Sequence, residues 1–199
     1  MHGPKPCALP LGHSPIAVQG AGCSIPNFIT VLKQVYWGEY MSKPTKDELR
    51  HELQSRSHSI SGDTLVDVIN SLAKVLKDSP DLRSVLLYKP VAKWGELDIT
   101  SLPDILPDVK FMTVKSTKDA SFPKAKFDVV VIPLVGFNRD GQRLGHGGGW
   151  YDKFLAIQPK VLKIGIGYED TLLDFTAEPH DIPMDIIITD QQIRFFRAS

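Results

Sequence analysis

From Arg143 to Asp152 the chain carries glycine at 145, 147, 148 and 149, with His146, Trp150 and Tyr151 between and after them. Glycine at four of five consecutive positions removes the Cβ atoms that would hold a ligand off the main chain. Neighbouring N–H groups can then converge on an anion, and a helix opening beside them adds its positive end. Arg143 supplies a permanent cation on one flank, and Asp152 a hard carboxylate suited to Mg2+ on the other. The ligand that fits such a set is a metal-bound polyphosphate, most simply a nucleotide. The familiar phosphate motifs are absent: there is no G-x-x-x-x-G-K-[ST], and G-x-G-x-x-G would need glycine where Trp150 stands. A tight strand-to-helix turn is the plain alternative for a glycine cluster, but the charged flanks favour phosphate.

A cradle binds without choosing a reaction. Phosphoryl transfer needs cations around the transferred group and a metal, because alignment and charge stabilisation supply most of the rate. Lys46 and Arg50 lie four apart in a helical stretch and so emerge on one face. Taken alone, such a pair is more often a solvated surface than a ligand clamp. Asp185, between Pro183-Met184 and an isoleucine run, either caps a strand turn or faces a site. With Asp152 it would give Mg2+ two carboxylates and leave room for water and phosphate oxygens, Asp181 being the less favoured substitute. Glu96, after Trp94-Gly95, is ordinarily a loop acid. His146 either donates to phosphate or substrate or fills space, and His180 and the other histidines show no metal-ligand spacing.

These residues need elements to position them. The stretch from Lys46 to Leu53 is helical in composition with acids early, and Ser61-Gly62-Asp63 opens a second helix with an apolar stripe of Leu65, Val66, Ile69, Leu72, Ala73 and Leu76. Buried strands are expected over 84–88, 109–114, 128–134, 161–167 and 185–189, with a closing strand or hairpin at 192–196. Pro103 and Pro107 bracket a brief helical piece, Asp140-Gly141 marks a turn, and a helix runs from about Gly149 to Ala156. Helices alternating with apolar strands indicate an α/β domain with a mostly parallel sheet covered by helices on both faces. Ligands of such sheets bind beyond the carboxyl ends of the strands, where the glycine loop falls.

The 199 residues suit a single domain, spanning 41–199, with a leading segment over 1–40. That segment is rich in proline, carries only Lys5, Lys33 and Glu39 as charges, and fits neither a secretory signal nor a transit peptide. It is expected to be a loosely ordered extension or the product of an upstream start codon. Zero formal net charge gives the molecule no overall pull toward nucleic acid or acidic membranes, and the longest apolar runs are too short to cross a bilayer. The only cysteines, Cys7 and Cys23, exclude a thiolate metal site or cysteine nucleophile in the main body; a reducing cytoplasm is the natural setting.

The segment from Val131 to Leu155 closely resembles the hallmark of the 5-formyltetrahydrofolate cyclo-ligase family, whose pattern is a strand ending in proline, an aromatic loop, then R-L-G-x-G-x-G-aromatic-Tyr-Asp. Three further pieces follow the family's order: Lys46-x-x-Leu49-Arg50, Glu96-Leu97-Asp98, and the run from His180 to Asp185. The resemblance covers roughly residues 43–189. It implies ATP- and Mg2+-dependent ring closure of 5-formyltetrahydrofolate to 5,10-methenyltetrahydrofolate. By the same resemblance Lys46, Arg50, Arg143, Leu144, Gly145, His146, Gly147, Gly148, Gly149, Trp150 and Tyr151 would hold ATP. Arg50, Glu96 and the span from His146 through Gly147, Gly148 and Gly149 to Trp150 would contact the folate; Asp152 and Asp185 would ligate Mg2+; Arg143 and His146 would act in catalysis. The expected partners are a reduced folate and ATP, with neither nucleic acid nor membrane, and a monomer is expected. One departure stands out: only Lys115 to Phe127 separate two of the strands, where family members commonly carry a longer stretch that helps shape the folate pocket. Two other readings stay open on that account: a nucleotide-binding module without folate turnover, and an ATP-dependent enzyme acting on a smaller formyl or amide substrate.

Overall fold

The computed structural model describes residues 44–55, 60–114 and 122–196; the proposed leading segment 1–40 lies outside them. Helix α1 (Lys46–Ser55) opens with a reciprocal cap: the Thr45 amide donates to Glu48 at 2.7 Å, and the Glu48 amide to the Thr45 hydroxyl at 3.3 Å. Helix α2 (Gly62–Lys77) is capped by Ser61, whose hydroxyl accepts from the Thr64 amide at 3.1 Å. The buried stripe of α2 is Val68, Ile69, Leu72, Ala73 and Leu76; Val66, expected on it, is exposed.

The remaining elements follow in the order β1 (Ser84–Tyr88), a 3-10 turn (Ala92–Trp94), α3 (Leu102–Ile105), β2 (Lys110–Val114), β3 (Val129–Pro133), β4 (Gly136–Phe137), β5 (Arg143–Leu144), α4 (Trp150–Ala156), β6 (Leu162–Gly167), a second 3-10 turn (Glu169–Thr171), β7 (Ile186–Thr189) and β8 (Ile193–Phe195). The main sheet has six strands in the order β2-β1-β3-β6-β7-β8, parallel throughout except for the closing β7–β8 pair. Every residue of β3 is buried, as a central parallel strand requires. Alternate residues serve opposite layers. Val129 and Val131 of β3 join Ile164, Ile186 and Ile188 beneath α2, whereas Val130 and Ile132 join Ile187 beneath Phe154 and Leu155 of α4. The helices therefore cover both faces, as expected. Gly165 has a packing reason: a Cβ there would meet the Leu134 side chain at 2.8 Å.

A small satellite cluster positions the first helix. Leu49 and Leu53, one turn apart on α1, are buried with Leu144 and Phe175, each contributing about 2 kcal/mol of apolar burial. Strands β4 and β5 form an antiparallel hairpin whose turn contains Asp140-Gly141. The Asn138 side-chain oxygen closes it, accepting from the amides of Asp140 at 3.0 Å and Gln142 at 2.9 Å. Gly141 stands at φ +77, a conformation that favours glycine.

Candidate active site

The carboxyl ends of β1, β2 and β3, marked by Tyr88, Val114 and Pro133, open on a cleft of about 590 Å3, an ordinary size for a small-molecule site. On β5 adjacent residues point opposite ways: Arg143 faces the cleft, and Leu144 is fully buried against α1. Leu144 was expected among the nucleotide contacts; its side chain is instead part of the packing beneath the loop. The glycine segment then crosses the cleft wall. Gly147 and Gly149 adopt φ +90 and +61, conformations that disfavour any other residue, so the shape of the loop depends on them. Gly148 has no such left-handed φ, and apart from its chain neighbours no protein atom lies within 4 Å of where its Cβ would stand. Among the described residues, the amides of 145–148 donate to no protein acceptor.

Cations reach this loop from two elements. Arg50 of α1 donates from Nε to the Gly145 carbonyl at 2.8 Å and pairs with Asp47. Lys46, one turn earlier, pairs with Asp181 and lies 3.5 Å from Glu178. Arg143 donates from Nη2 to Asp152 Oδ2 at 2.6 Å, and its guanidinium stands over the Tyr151 ring. Its Nε is buried without a partner among the described residues. Burial pushes the Tyr151 phenol far above its usual range, with Glu96 adding to the rise and Arg143 opposing it. For Asp181, burial works against the charged form. The Lys46 hydrogen bond and the Glu178 amide outweigh it and hold the carboxyl below its usual range.

The other wall carries Glu96, whose side chain is only 6% exposed. One of its oxygens accepts from the Val91 amide at 2.7 Å, and the other lies 3.0 Å from His146 Nε2. The His146 ring is stacked on Trp94, centroids 4.0 Å apart. The loop holding Trp94 and Glu96 is tied down by Tyr88, donating to the Leu97 carbonyl at 2.5 Å, and by Tyr168, donating to the Gly95 carbonyl at 2.8 Å.

The structure thus gathers Lys46, Arg50 and Glu96 with Arg143, Gly145, His146, Gly147, Gly148, Gly149, Trp150, Tyr151 and Asp152 around one cleft. It does not bring Asp185 there. Asp185 precedes β7 and accepts from the Lys163 amide at 2.8 Å, with the Lys163 ammonium also at 2.8 Å. Those groups lie at the amino ends of the strands with Asp128, on another surface, a strand length on the order of 15 Å from the cleft. Asp185 therefore cannot share a cation with Asp152. Asp181 lines the cleft, and the amide of the next residue, Ile182, points to Asp152 Oδ1 at 3.4 Å. Among the described residues no three His, Cys, Asp or Glu side chains cluster as a metal cage. Asp152 and Asp181, two hard carboxylates in the cleft with the glycine loop, nevertheless fit Mg2+, an ion that takes few protein carboxylates and keeps several waters. Trp94 also lines the cleft, a residue that no motif marks, although it stands two residues before Glu96.

Residues 84–190 match the model of the 5-formyltetrahydrofolate cyclo-ligase family. The chain belongs to this family. A 5-formyltetrahydrofolate cyclo-ligase of Mycoplasma pneumoniae is 32% identical over 133 residues, 60% of this chain and 80% of that protein. One from Mycoplasma genitalium is 44% identical over 122 residues, 55% of this chain and 73% of that protein. Among solved structures, the 5,10-methenyltetrahydrofolate synthetase of Mycoplasma pneumoniae superposes with TM-score 0.61 at 28% identity, covering 74% of this chain and 99% of that one. The Aquifex aeolicus 5,10-methenyltetrahydrofolate synthetase shares the fold, with TM-score 0.57 at 24% identity, covering 77% and 94%. The cyclo-ligases are enzymes, and this chain carries their fold from Ser84 through the glycine loop to Asp190. Among the described residues no helix is long and apolar enough to cross a membrane.

Proposed function

We propose that this cyclo-ligase converts 5-formyltetrahydrofolate to 5,10-methenyltetrahydrofolate at the expense of ATP, in the cleft bounded by the glycine loop, α1 and the loop carrying Glu96. The supporting observation is convergence: three cations from two elements, Lys46 and Arg50 of α1 and Arg143 of β5, meet a glycine-rich main chain on one wall, and a buried carboxylate with an aromatic neighbour stands on the other. The first wall suits a triphosphate, and the second a flat heterocycle with N–H donors.

In this reading the formyl oxygen attacks the terminal phosphorus and ADP leaves. Folate N10 then attacks the activated carbon and loses its proton, and inorganic phosphate departs carrying the former formyl oxygen. An amide-like oxygen is a weak nucleophile, so alignment against the phosphate is the largest aid the protein can give. Lys46, Arg50 and Arg143 draw charge from the phosphates. Bound with ATP, Mg2+ would neutralise charge on the leaving diphosphate, with Asp152 and Asp181 as its protein carboxylates. Of the two residues expected in catalysis, Arg143 keeps that role beside the phosphates. The His146 ring is engaged with Glu96 and Trp94, on the folate side. The setting proposed is a cytoplasmic monomer acting on two small molecules, with no nucleic-acid or membrane partner.

The test is spectroscopic. The protein is incubated with 5-formyltetrahydrofolate, and the methenyl product's near-ultraviolet band should develop only when ATP and Mg2+ are both present. ATP binding with no band would leave a nucleotide-binding module in place of the enzyme.

A further inference from the structure

Resting on that reading for the identity of the ligand, we infer that Trp94 is the stacking platform for the substrate's flat ring, and that His146 is a displaceable occupant of the same seat. The imidazole makes the two contacts expected of such a ring. It lies 4.0 Å from the Trp94 centroid at an interplanar angle of 29°. Its Nε2 is 3.0 Å from Glu96 Oε1. A pterin offers the same pair of contacts with a larger face and an edge bearing more than one N–H, so it competes for both partners at once.

The two sides of this contact are built differently. Trp94 and Glu96 sit on a loop fixed at both neighbours of Glu96, by Tyr168 on the Gly95 carbonyl and Tyr88 on the Leu97 carbonyl. The second oxygen of Glu96 is held by the Val91 amide at 2.7 Å, which sets the carboxylate plane. His146 lies between Gly145 and Gly147, where backbone rotation is least restricted. Its other nitrogen, Nδ1, is buried with no partner among the described residues. A permanently seated histidine would have both nitrogens satisfied or wet. The recess behind the stacked pair, reaching Gln54 and Thr171, holds only about 20 Å3, so a larger ring replacing the imidazole has its space on the side of the main cleft, which Trp94, Glu96 and His146 also line. The site then selects a ligand with both a flat face and a donor edge, which separates a folate from a small formamide.

The experiment is calorimetric titration of 5-formyltetrahydrofolate into the full chain and into Trp94→Ala, Trp94→Phe and His146→Ala, with ATP affinity measured in parallel for the Trp94 variants. Trp94→Ala should bind the folate about fivefold more weakly, with Trp94→Phe restoring most of the loss and ATP affinity unchanged in both. His146→Ala should bind it several-fold more tightly than the parent. A His146→Ala protein that binds no tighter, or a Trp94→Ala protein equal to the parent, overturns the inference while parental turnover leaves the proposed reaction standing. A parent chain that neither binds the folate nor yields the methenyl band removes the proposed reaction, and this inference with it.

Discussion

Arg50 donates from Nε to the main-chain carbonyl of Gly145 at 2.8 Å, joining the first helix to the glycine loop. Leu49 and Leu53 bury the adjoining face of that helix against Leu144 and Phe175, so the cation is carried on packed structure. Arg50→Ala should raise the KM for ATP by about tenfold, the scale of one charged hydrogen bond. Arg50→Lys should recover only part of this, because an ammonium cannot reproduce the planar guanidinium fork. Steady-state kinetics with ATP varied provides the check, and an unchanged KM in Arg50→Ala would remove α1 from the nucleotide site.

Gly148 allows the phosphate cradle to be tested without disturbing the fold. A Cβ there meets no protein atom within 4 Å, so Gly148→Ala should unfold within about 0.5 kcal/mol of the parent. If triphosphate approaches that main chain, the same methyl should weaken ATP binding severalfold. Gly147→Val should lower both stability and ATP affinity, because φ +90 strains a β-branched residue. Parental ATP affinity in Gly148→Ala would argue that the nucleotide lies elsewhere.

The carboxylates separate by position. Asp181→Asn should lower Mg2+-dependent turnover about tenfold or more, since it loses the proposed metal carboxylate and the charged partner of Lys46 together. Asp185→Asn should keep parental turnover and cost about 1 kcal/mol of stability through the Lys163 contacts. Asp152→Asn carries both effects, because it also leaves the buried Arg143 guanidinium without its anion. Magnesium titrations of turnover alongside denaturant melts distinguish the three, and a turnover loss confined to Asp185→Asn would reverse the assignment.

Glu169 gives the protein an acid-side dependence away from the cleft. Arg194 holds its carboxyl below the ordinary 4.5; burial opposes this, and the Thr189 hydroxyl assists. A depressed folded value means that the stabilisation is fully present above the unfolded value and is lost as pH falls through the lower one. Glu169→Gln should therefore cost about 1 kcal/mol at neutral pH and show a flatter stability profile below 4.5. Urea melts across the acid range should show the two proteins converging, and parallel profiles would count against the linkage.

Much of this architecture was legible in the chain. The apolar runs at Val129–Pro133 and Ile186–Thr189 are interior strands, buried on both faces, and composition alone marks such strands. The glycine loop was equally plain, because a phosphate cradle and a φ-positive turn both demand glycine. Asp185 lies away from the cleft because an apolar neighbourhood marks a strand without saying which of its ends an acid stands at. An acid immediately before a parallel strand lies at the amino end, away from the ligand. Leu144 followed the motif, but alternation along β5 turns its side chain from the cleft. Trp94 gave no periodic signal, since a single aromatic in a 3-10 turn repeats with nothing. Spacing alone left Lys46 and Arg50 a surface pair and only the family resemblance marked them; their contacts, Asp181 and the Gly145 carbonyl, are remote in sequence.

Oxygen transfer tests the central claim most directly. The full chain is supplied with 5-formyltetrahydrofolate labelled with heavy oxygen in the formyl group, together with ATP and Mg2+, and the released phosphate is analysed by mass. The account predicts one labelled phosphate for each methenyl product and each ADP formed. Unlabelled phosphate, or no methenyl product from a folded, ATP-binding protein, would contradict it.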